Sequence, residues 1–325
     1  MIPAQNHEGK IASIANKINH IACTQGNGWG GIHEGWIHQE KLDSIASNDD
    51  LYRLAKNHRQ PAVRAISFWM LVNRRDDRCQ ELLYESLADT ATFHMISADV
   101  GMQANVGSFA VDLLIYPESY SLPRGLHLTG PDSLRLDSTL IFTPDMGHIF
   151  YLHQLVRKLP PNEEFYGRFH DMYYREGLTD LLPILAKYRR DSEKQAIIEG
   201  LLEYAKGLDE NNVRNGEPEG ATNDALEAVA EWPCNEFWPA LIRLRDYEIN
   251  RKHFDYRRIR LFYAAVMAYD SQQAFELIDQ TLSQVQGNVA KYHKELFQTA
   301  YEENSHKRFG PLIGKYHLGE IGMIF

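Results

Sequence analysis

One stretch, residues 61–77 (PAVRAISFWMLVNRRDD), constrains what this chain can fold into more than any other part of it. Pro61 stands where a helix accepts proline most readily, because the N–H groups of the first turn have no partner within the helix. The apolar residues after it form two adjacent stripes at spacings of three and four. Stripes this wide must be covered from two sides. The stretch therefore predicts an inner helix packed between neighbours.

A shorter helix is predicted just before it, over residues 49–58, with Leu51, Leu54 and Ala55 on one face. The two helices make a hairpin, and paired amphipathic segments of the same kind recur downstream. Repeated hairpins that bury one another's apolar faces are typical of a solenoid. A length of 325 residues fits one such body, because a solenoid grows without a break in its core.

A family resemblance is carried by the run HRQPAVRAISFWMLVNRRDD (58–77), followed by a helix and LADT (87–90). This run resembles the HEAT repeat, in which a proline opens the inner helix and a V-R-A-like step continues it. In chain order, QPAVRAISFWML, LRLDSTLIFTP, LLPILAKYRRDSEKQAII, DALEAVAEWPCNEFWPAL and RIRLFYAAVMAYDSQQAFELI are similar to segments of a group of bacterial HEAT-like repeat proteins. The resemblance implies an armadillo-type α-solenoid and no particular reaction.

The expected fold is all-α: a right-handed α-α superhelix, HEAT-like, forming a single body over residues 1–325 with a small irregular insertion. Residues 1–24 are predicted to be a capping helix, 25–39 a glycine-rich loop, 40–115 the first repeats, 116–145 the insertion and 146–325 the remaining repeats. The insertion is inferred from four prolines and from leucines that alternate with polar residues. A helix is also expected to begin near Ala91, break around Gly101 and Gly107 and resume at Phe109.

The glycine-rich loop contains two apparent motifs. Residues 26–31 (GNGWGG) satisfy G-x-G-x-x-G, but that motif binds a dinucleotide only between a strand and a helix of a parallel sheet, so a flexible loop is favoured. His33, Glu34 and His38 resemble a zinc motif, yet the histidines are five apart rather than four. We therefore expect no cofactor and no metal. Trp29 and Trp36 either plug the end of the solenoid or anchor a partner.

The composition indicates which class of partner and which cellular compartment to expect. The formal net charge of −10 argues against a general nucleic-acid binder and favours a basic protein partner. Cys23, Cys79 and Cys234 fit neither a metal spacing nor a disulfide framework, which indicates buried apolar side chains. Without a membrane-spanning apolar run or a secretory signal in the sequence, a cytoplasmic protein is expected.

Charge is sorted along the C-terminal half. Residues 207–236 hold eight acids against Arg214 alone, and the acidic loop and helix over 209–236 are predicted to face a partner. The alternative is that these acids pair with the basic residues of 243–260. Those basic residues could also be offered as a DNA surface, as in the HEAT-like alkylpurine DNA glycosylases, but internal ion pairing is favoured. The candidate binding residues are Trp29, His33, Glu34, Trp36, Asp209, Glu210, Glu217, Glu219, Asp224 and Glu227.

The sequence contains no nucleophile motif such as G-x-S-x-G, and no catalytic residue is predicted. The expected function is a non-enzymatic protein-protein interaction module that binds a basic protein. A sharper version makes the chain an immunity or inhibitor protein for a basic toxin. The alternative from another class is a HEAT-like enzyme or nucleic-acid-binding protein.

Overall fold

A computed structural model of the chain describes residues 4–25, 32–97, 100–116, 128, 130–205, 219–250, 255–304 and 306–318. Most of these residues are helical, and a small three-stranded sheet accompanies the helices. The mostly helical class predicted from the sequence is therefore confirmed. The chain divides into two compact units, Met1–Leu155 and Val156–Phe325, where the sequence predicted a single body. No helix among the described residues is both long and apolar enough to cross a membrane.

The first unit combines helices with the sheet. Its described elements are α1 (Ala4–Ala15), β1 (His20–Ala22), α2 (Glu34–Ile45), α3 (Asn48–Asn57), α4 (Pro61–Asn73), α5 (Cys79–Ser86), β2 (Thr92–Ser97), β3 (Val100–Asn105), α6 (Val106–Ile115), α7 (Gly130–Phe142) and the first part of α8 (Phe150–Lys158).

The predicted hairpin of α3 and α4 is confirmed. Ser47 and Asp50 form a capping box at the start of α3, because each side chain accepts from the other's backbone N–H (3.2 and 3.0 Å). Helix α4 opens on Pro61 and buries nine of its thirteen residues, which explains why its apolar stripes run so far round it. Phe68 is fully buried, whereas Trp69, an apolar residue of the predicted stripes, is half-buried against Phe109.

The sheet replaces a helix that the sequence predicted to begin near Ala91, so that prediction is wrong. Phe93 and Met95 are buried while Thr92 and His94 are exposed, an alternation that belongs to a strand. Strand β1 pairs in parallel with β2, and β2 pairs with β3 in antiparallel fashion. Helix resumes at Val106, close to the predicted position.

Two other predicted boundaries are corrected. The irregular insertion at 116–145 is helical over α7, where Leu136 and Leu140 are buried at a spacing of four and Leu134 is exposed. The alternating leucines therefore belong to a helix, and residues 117–127 lie outside the described part. The capping helix expected over 1–24 ends at Ala15 and is followed by β1. The glycine-rich loop predicted for 25–39 is helical from Glu34 onward.

The second unit is helical throughout its described residues. It contains the end of α8, α9 (Glu163–Tyr174), α10 (Leu182–Ala186), α11 (Lys194–Leu201), α12 (Glu219–Glu231), α13 (Trp238–Ile249), α14 (Tyr256–Met267), α15 (Gln272–Gln284), α16 (Gly287–Asn304) and α17 (Gly310–Lys315). Short 3₁₀ turns precede α10, α11, α13 and α17.

Helix α12 lies at the centre of this unit, packed against α10, α11 and α14. Its contact with α11 is close because Gly200 has no side chain, and a Cβ there would lie 2.8 Å from the Cβ of Ala225. Helix α14 in turn packs on α16. One apolar cluster runs through these helices and includes Phe237, Tyr263 and Phe297.

Candidate protein-binding site

The residues predicted around the glycine-rich segment do not form one exposed site. Trp29 lies outside the described residues. His33 immediately precedes α2, and Glu34, its first residue, has an exposed carboxylate 3.6 Å from Nε2 of His38. Trp36 is half-buried, and its Nε1 is buried without a hydrogen-bond partner among the described residues. Trp36 is thus turned inward rather than presented as an open anchor.

A group of histidines gathers near the start of α2. His20 in β1 lies beside Gly35, and its Cα is in register with that of His94 in β2. Burial lowers the pKa of His20, and the neighbouring His33 and His94 lower it further. Within the described residues, no group of three or more His, Cys, Asp or Glu side chains could hold a metal ion.

The predicted acids that are described lie on α12. Asp209, Glu210 and Glu217 are outside the described residues, as is the side chain of Glu219. Asp224 is only 6% exposed, and burial, followed by Glu227 and Asp180, raises the pKa of its carboxyl to about 6. It follows Thr222 and Asn223, so three consecutive polar residues of this helix are buried.

Two arginines from other helices face these acids. Arg157 of α8 lies 3.3 Å from the Glu227 carboxylate and 3.8 Å from that of Asp224. Arg257 of α14 lies 3.0 Å from Glu227 on its other side. The contact of Arg257 is the ion pairing with residues 243–260 that the sequence left as the alternative to an open acidic surface, whereas Arg157 lies outside that predicted range.

Two further described arginines of 243–260 are also engaged with acids. Arg258 is fully buried, 3.1 Å from Glu248 and 3.6 Å from Asp255. Arg260 lies 2.6 Å from Glu303. Arg251 and Lys252 lie outside the described residues. Arg257, Arg258 and Arg260 are therefore paired with acids rather than directed together into an open basic groove of the kind that a nucleic acid requires.

The second unit also carries a surface group of aromatic rings that sequence reasoning did not select. It consists of Tyr166, His170, Tyr173 and Tyr174 on α9 together with Tyr188, and we call it the tyrosine cluster. Ring centroids are 5.8 Å apart for Tyr166 and His170, 4.4 Å for His170 and Tyr174, 4.7 Å for Tyr173 and Tyr174, and 5.2 Å for Tyr166 and Tyr188. Tyr174 is 45% exposed.

The buried carboxylate of Glu193 holds two rings of this cluster in place through hydrogen bonds. Glu193 is fully buried and accepts hydrogen bonds from the hydroxyls of Tyr166 (2.6 Å), Ser192 (2.9 Å) and Tyr174 (3.1 Å). Burial is the first cause that raises the pKa of both tyrosine hydroxyls, and Glu193 adds to it. Both hydroxyls donate to the same buried side chain, so these hydrogen bonds fix the positions of the two rings.

Charged groups surround the cluster. The Arg190 guanidinium lies over the Tyr166 ring, 3.7 Å from its centroid, and pairs with Glu163 at the start of α9. On the inner side, burial raises the pKa of Tyr173, and Glu193 and Asp224 raise it further. The tyrosine cluster therefore binds a guanidinium on Tyr166 and has the buried Asp224 of α12 close enough to Tyr173 for its charge to act on that hydroxyl.

Part of this arrangement could have been found in the sequence. Tyr166, His170, Tyr173 and Tyr174 follow helical spacing, so their place on one side of a helix was predictable. The role of Glu193 was not, because nothing local distinguishes a buried glutamate from the exposed ones around it. Comparison of the chain with protein-family models, with curated proteins and with solved structures finds no match. Function is therefore inferred from the residues themselves.

Proposed function

We propose that this protein is a protein-binding module that takes its partner on the tyrosine cluster of the second unit. In this proposal the paired helices belong to a HEAT-like right-handed superhelix that presents the cluster. The resemblance of residues 58–77 and the recurrence of helix pairs in both units support that architecture. The proposed module acts by binding and carries out no reaction.

The observation that carries the proposal is the fixed, partly exposed set of rings on α9. Tyrosine is enriched at protein interfaces because it brings a large contact area and one polar group at a low cost in conformational entropy. Here Glu193 holds the hydroxyls of Tyr166 and Tyr174 before any partner arrives. Such preorganisation reduces the entropy lost on binding.

A basic partner fits this surface best. The chain has a net charge of −10, and Arg190 on Tyr166 is an example within the molecule of a guanidinium bound by a ring of the cluster. An arginine from another protein could bind Tyr174 in the same way. The finer form of the proposal is that the partner is a basic toxin, which this chain neutralises as an immunity or inhibitor protein. A nucleic-acid partner has less support, because Arg257, Arg258 and Arg260 are engaged with acids.

The test compares wild type with two variants that each remove one exposed tyrosine. Tyr174→Ala removes a ring of the cluster, and Tyr256→Ala removes a ring of equal exposure (46%) on α14 as a matched control. The three proteins are immobilised and exposed to a lysate of the cells that produce the protein, at two salt concentrations. Retained proteins are then identified, and their affinities are measured with purified material.

We expect at least one basic protein to bind wild type and Tyr256→Ala alike and to bind Tyr174→Ala at least about tenfold more weakly, since a hot-spot aromatic contributes about 2 kcal/mol or more. Higher salt should slow association. The proposal is overturned if all three proteins retain the same partners equally, or if no protein is retained at moderate salt.

A further inference from the structure

The two edges of the sheet in the first unit are treated differently by the chain. At the outer edge of β1, the side-chain amide of Gln39 pairs with the backbone of Ala22, accepting from its N–H (2.8 Å) and donating to its carbonyl (3.1 Å). Gln39 is itself buried, so this edge is closed. At the other edge, β3 pairs with β2 on one side only within the described residues.

The backbone groups left at the β3 edge can be named. Val106 N–H donates to Ala91 O (3.1 Å), and hydrogen-bonded pairs alternate along an antiparallel ladder from that point. By this alternation, Val100, Met102 and Ala104 bond to β2, whereas Gly101 and Gln103 direct their N–H and C=O groups outward. Within the described part of the chain no further strand pairs with these outward groups, so they can pair with another strand.

The side chains of β3 add an apolar face to this edge. Met102 is in register with Met95 and Ala104 with Phe93, so these residues lie on the face of the sheet that packs on the core. Met95 and Phe93 are buried, yet Met102 is 48% and Val100 58% exposed. The apolar face of the sheet therefore extends beyond the chain's own core.

The chemistry of β3 indicates what covers it. Its sequence, VGMQAN, contains no charged residue and no proline, which are the features that keep edge strands from pairing with their own copies. A basic segment of another protein would find no acidic residue on β3 to pair with. The β3 strand of a second copy, in contrast, would meet no like charge. We propose that β3 pairs in antiparallel fashion with β3 of a second copy of this chain, so that two sheets join into one.

The alternation fixes the register of this pairing. A two-fold axis perpendicular to the sheet places equivalent side chains of the two copies on the same face of the joined sheet. If this axis passes through Met102, Gly101 of each copy pairs with Gln103 of the other. The two Met102 side chains then lie opposite each other, and Val100 lies opposite Ala104. Asn105 is not needed, which is consistent with its side chain capping α6 through Ser108 N–H (2.7 Å).

Disulfide trapping tests the register in the full-length protein. Met102→Cys places two thiols opposite each other at a Cα separation of about 4.5–5.5 Å, within reach of a disulfide. Leu134→Cys, on the exposed side of α7 in the same unit, is the matched control, and wild type shows the background from its own cysteines. We expect Met102→Cys to form a covalent dimer under mild oxidation at least about tenfold faster than Leu134→Cys. Equal rates overturn the proposal.

Light scattering on a size-exclusion column tests the association itself. Wild type is expected to shift from monomer to dimer as its concentration rises, and Met102→Lys to remain monomeric because it sets two ammonium groups face to face. Because Met102 is half-exposed, the variant should keep the melting temperature of a dilute wild-type sample. A monomeric wild type at the highest concentration, or a dimeric Met102→Lys, overturns the proposal. Neither result bears on the tyrosine cluster, which lies in the other unit.

Discussion

Helix α4 of the first unit and helix α12 of the second are equally long and differ in what they bury. Both have thirteen residues. Helix α4 buries apolar side chains and one serine, Ser67. Helix α12 buries Thr222, Asn223 and Asp224 in succession before its apolar residues begin. The difference teaches that an acid-rich segment is not necessarily a surface, because arginines from α8 and α14 lie beside the acids of α12.

The largest expected effect concerns α4, the helix that buries apolar side chains. Phe68→Ala empties a fully buried site in α4 and should lower the free energy of unfolding by about 3–5 kcal/mol, measured by urea denaturation. The neighbouring Trp69→Ala should cost less, because Trp69 is only half-buried. Equal losses at the two positions would show that the burial of α4 is wrongly understood.

The second unit should show the stronger dependence on pH, through His293 of α16. The ring is buried with Nδ1 2.8 Å from the Tyr263 hydroxyl, and burial lowers its pKa to about 4. Between pH 6.5 and 4 the unfolded chain binds a proton that the folded chain does not, so stability falls as the pH falls. The loss should approach about 3 kcal/mol in total.

This loss is measured as the difference between wild type and His293→Gln across the pH range, because other groups titrate in the same window. Wild type should lose up to about 3 kcal/mol of stability relative to the variant as the pH falls from 6.5 towards 4, because the glutamine of the variant does not titrate. Parallel curves would mean that His293 accepts a proton in the folded state as readily as in the unfolded one.

Asp224 should act in the opposite direction. Its pKa is raised to about 6, so the contribution to stability is present at low pH and is lost as the pH rises through about 6. Asp224→Asn should therefore stabilise the protein by about 1–3 kcal/mol at pH 7.5 and have little effect at pH 4. In the first unit, burial raises the pKa of Asp112 to about 6, and no charged group among the described residues contributes to that shift.

Asp112→Asn is thus a matched variant for the same measurement. It should stabilise at least as much as Asp224→Asn at pH 7.5, since no cation in the described part of the chain offsets the burial of Asp112. A destabilising effect of Asp224→Asn at pH 7.5 would indicate that its pairing with Arg157 outweighs the cost of burial.

The smallest expected effect tests how closely α12 is packed. Gly200→Ala places a methyl group 2.8 Å from the Cβ of Ala225 and 3.2 Å from the carbonyl of Ala221, and should cost about 1–2 kcal/mol. Gly167→Ala in α9 is the control, because a Cβ there meets nothing within 4 Å. The control should be neutral or stabilising by up to about 1 kcal/mol. If both variants behave alike, the close α11–α12 contact is not rigid.

The sequence predicted the structure best where all the relevant residues lie within one helix. The stripes of α4 and its opening proline predicted both its position and its burial. The prediction for β2 and β3 was wrong, because the apolar residues Phe93 and Met95 of β2 are compatible with a strand or a helix over so short a run. The role of Glu193 could not be predicted from the sequence, because its hydrogen-bond partners Tyr166 and Tyr174 belong to another helix. Burial of charge depends on distant partners, and a single sequence does not show which residues meet.

The closed edge of β1 has a consequence for the order in which the first unit folds. Strand β1 pairs with β2 although four described helices, α2 to α5, lie between them in the chain. The closure of so long a loop is slow compared with the formation of the α3–α4 hairpin. A growing chain emerges N-terminus first, so residues 20–22 are synthesised well before β2, and among the described residues Gln39 of α2 can pair with their backbone earlier. We expect β1 to become ordered later than the α3–α4 hairpin during synthesis, once β2 is available.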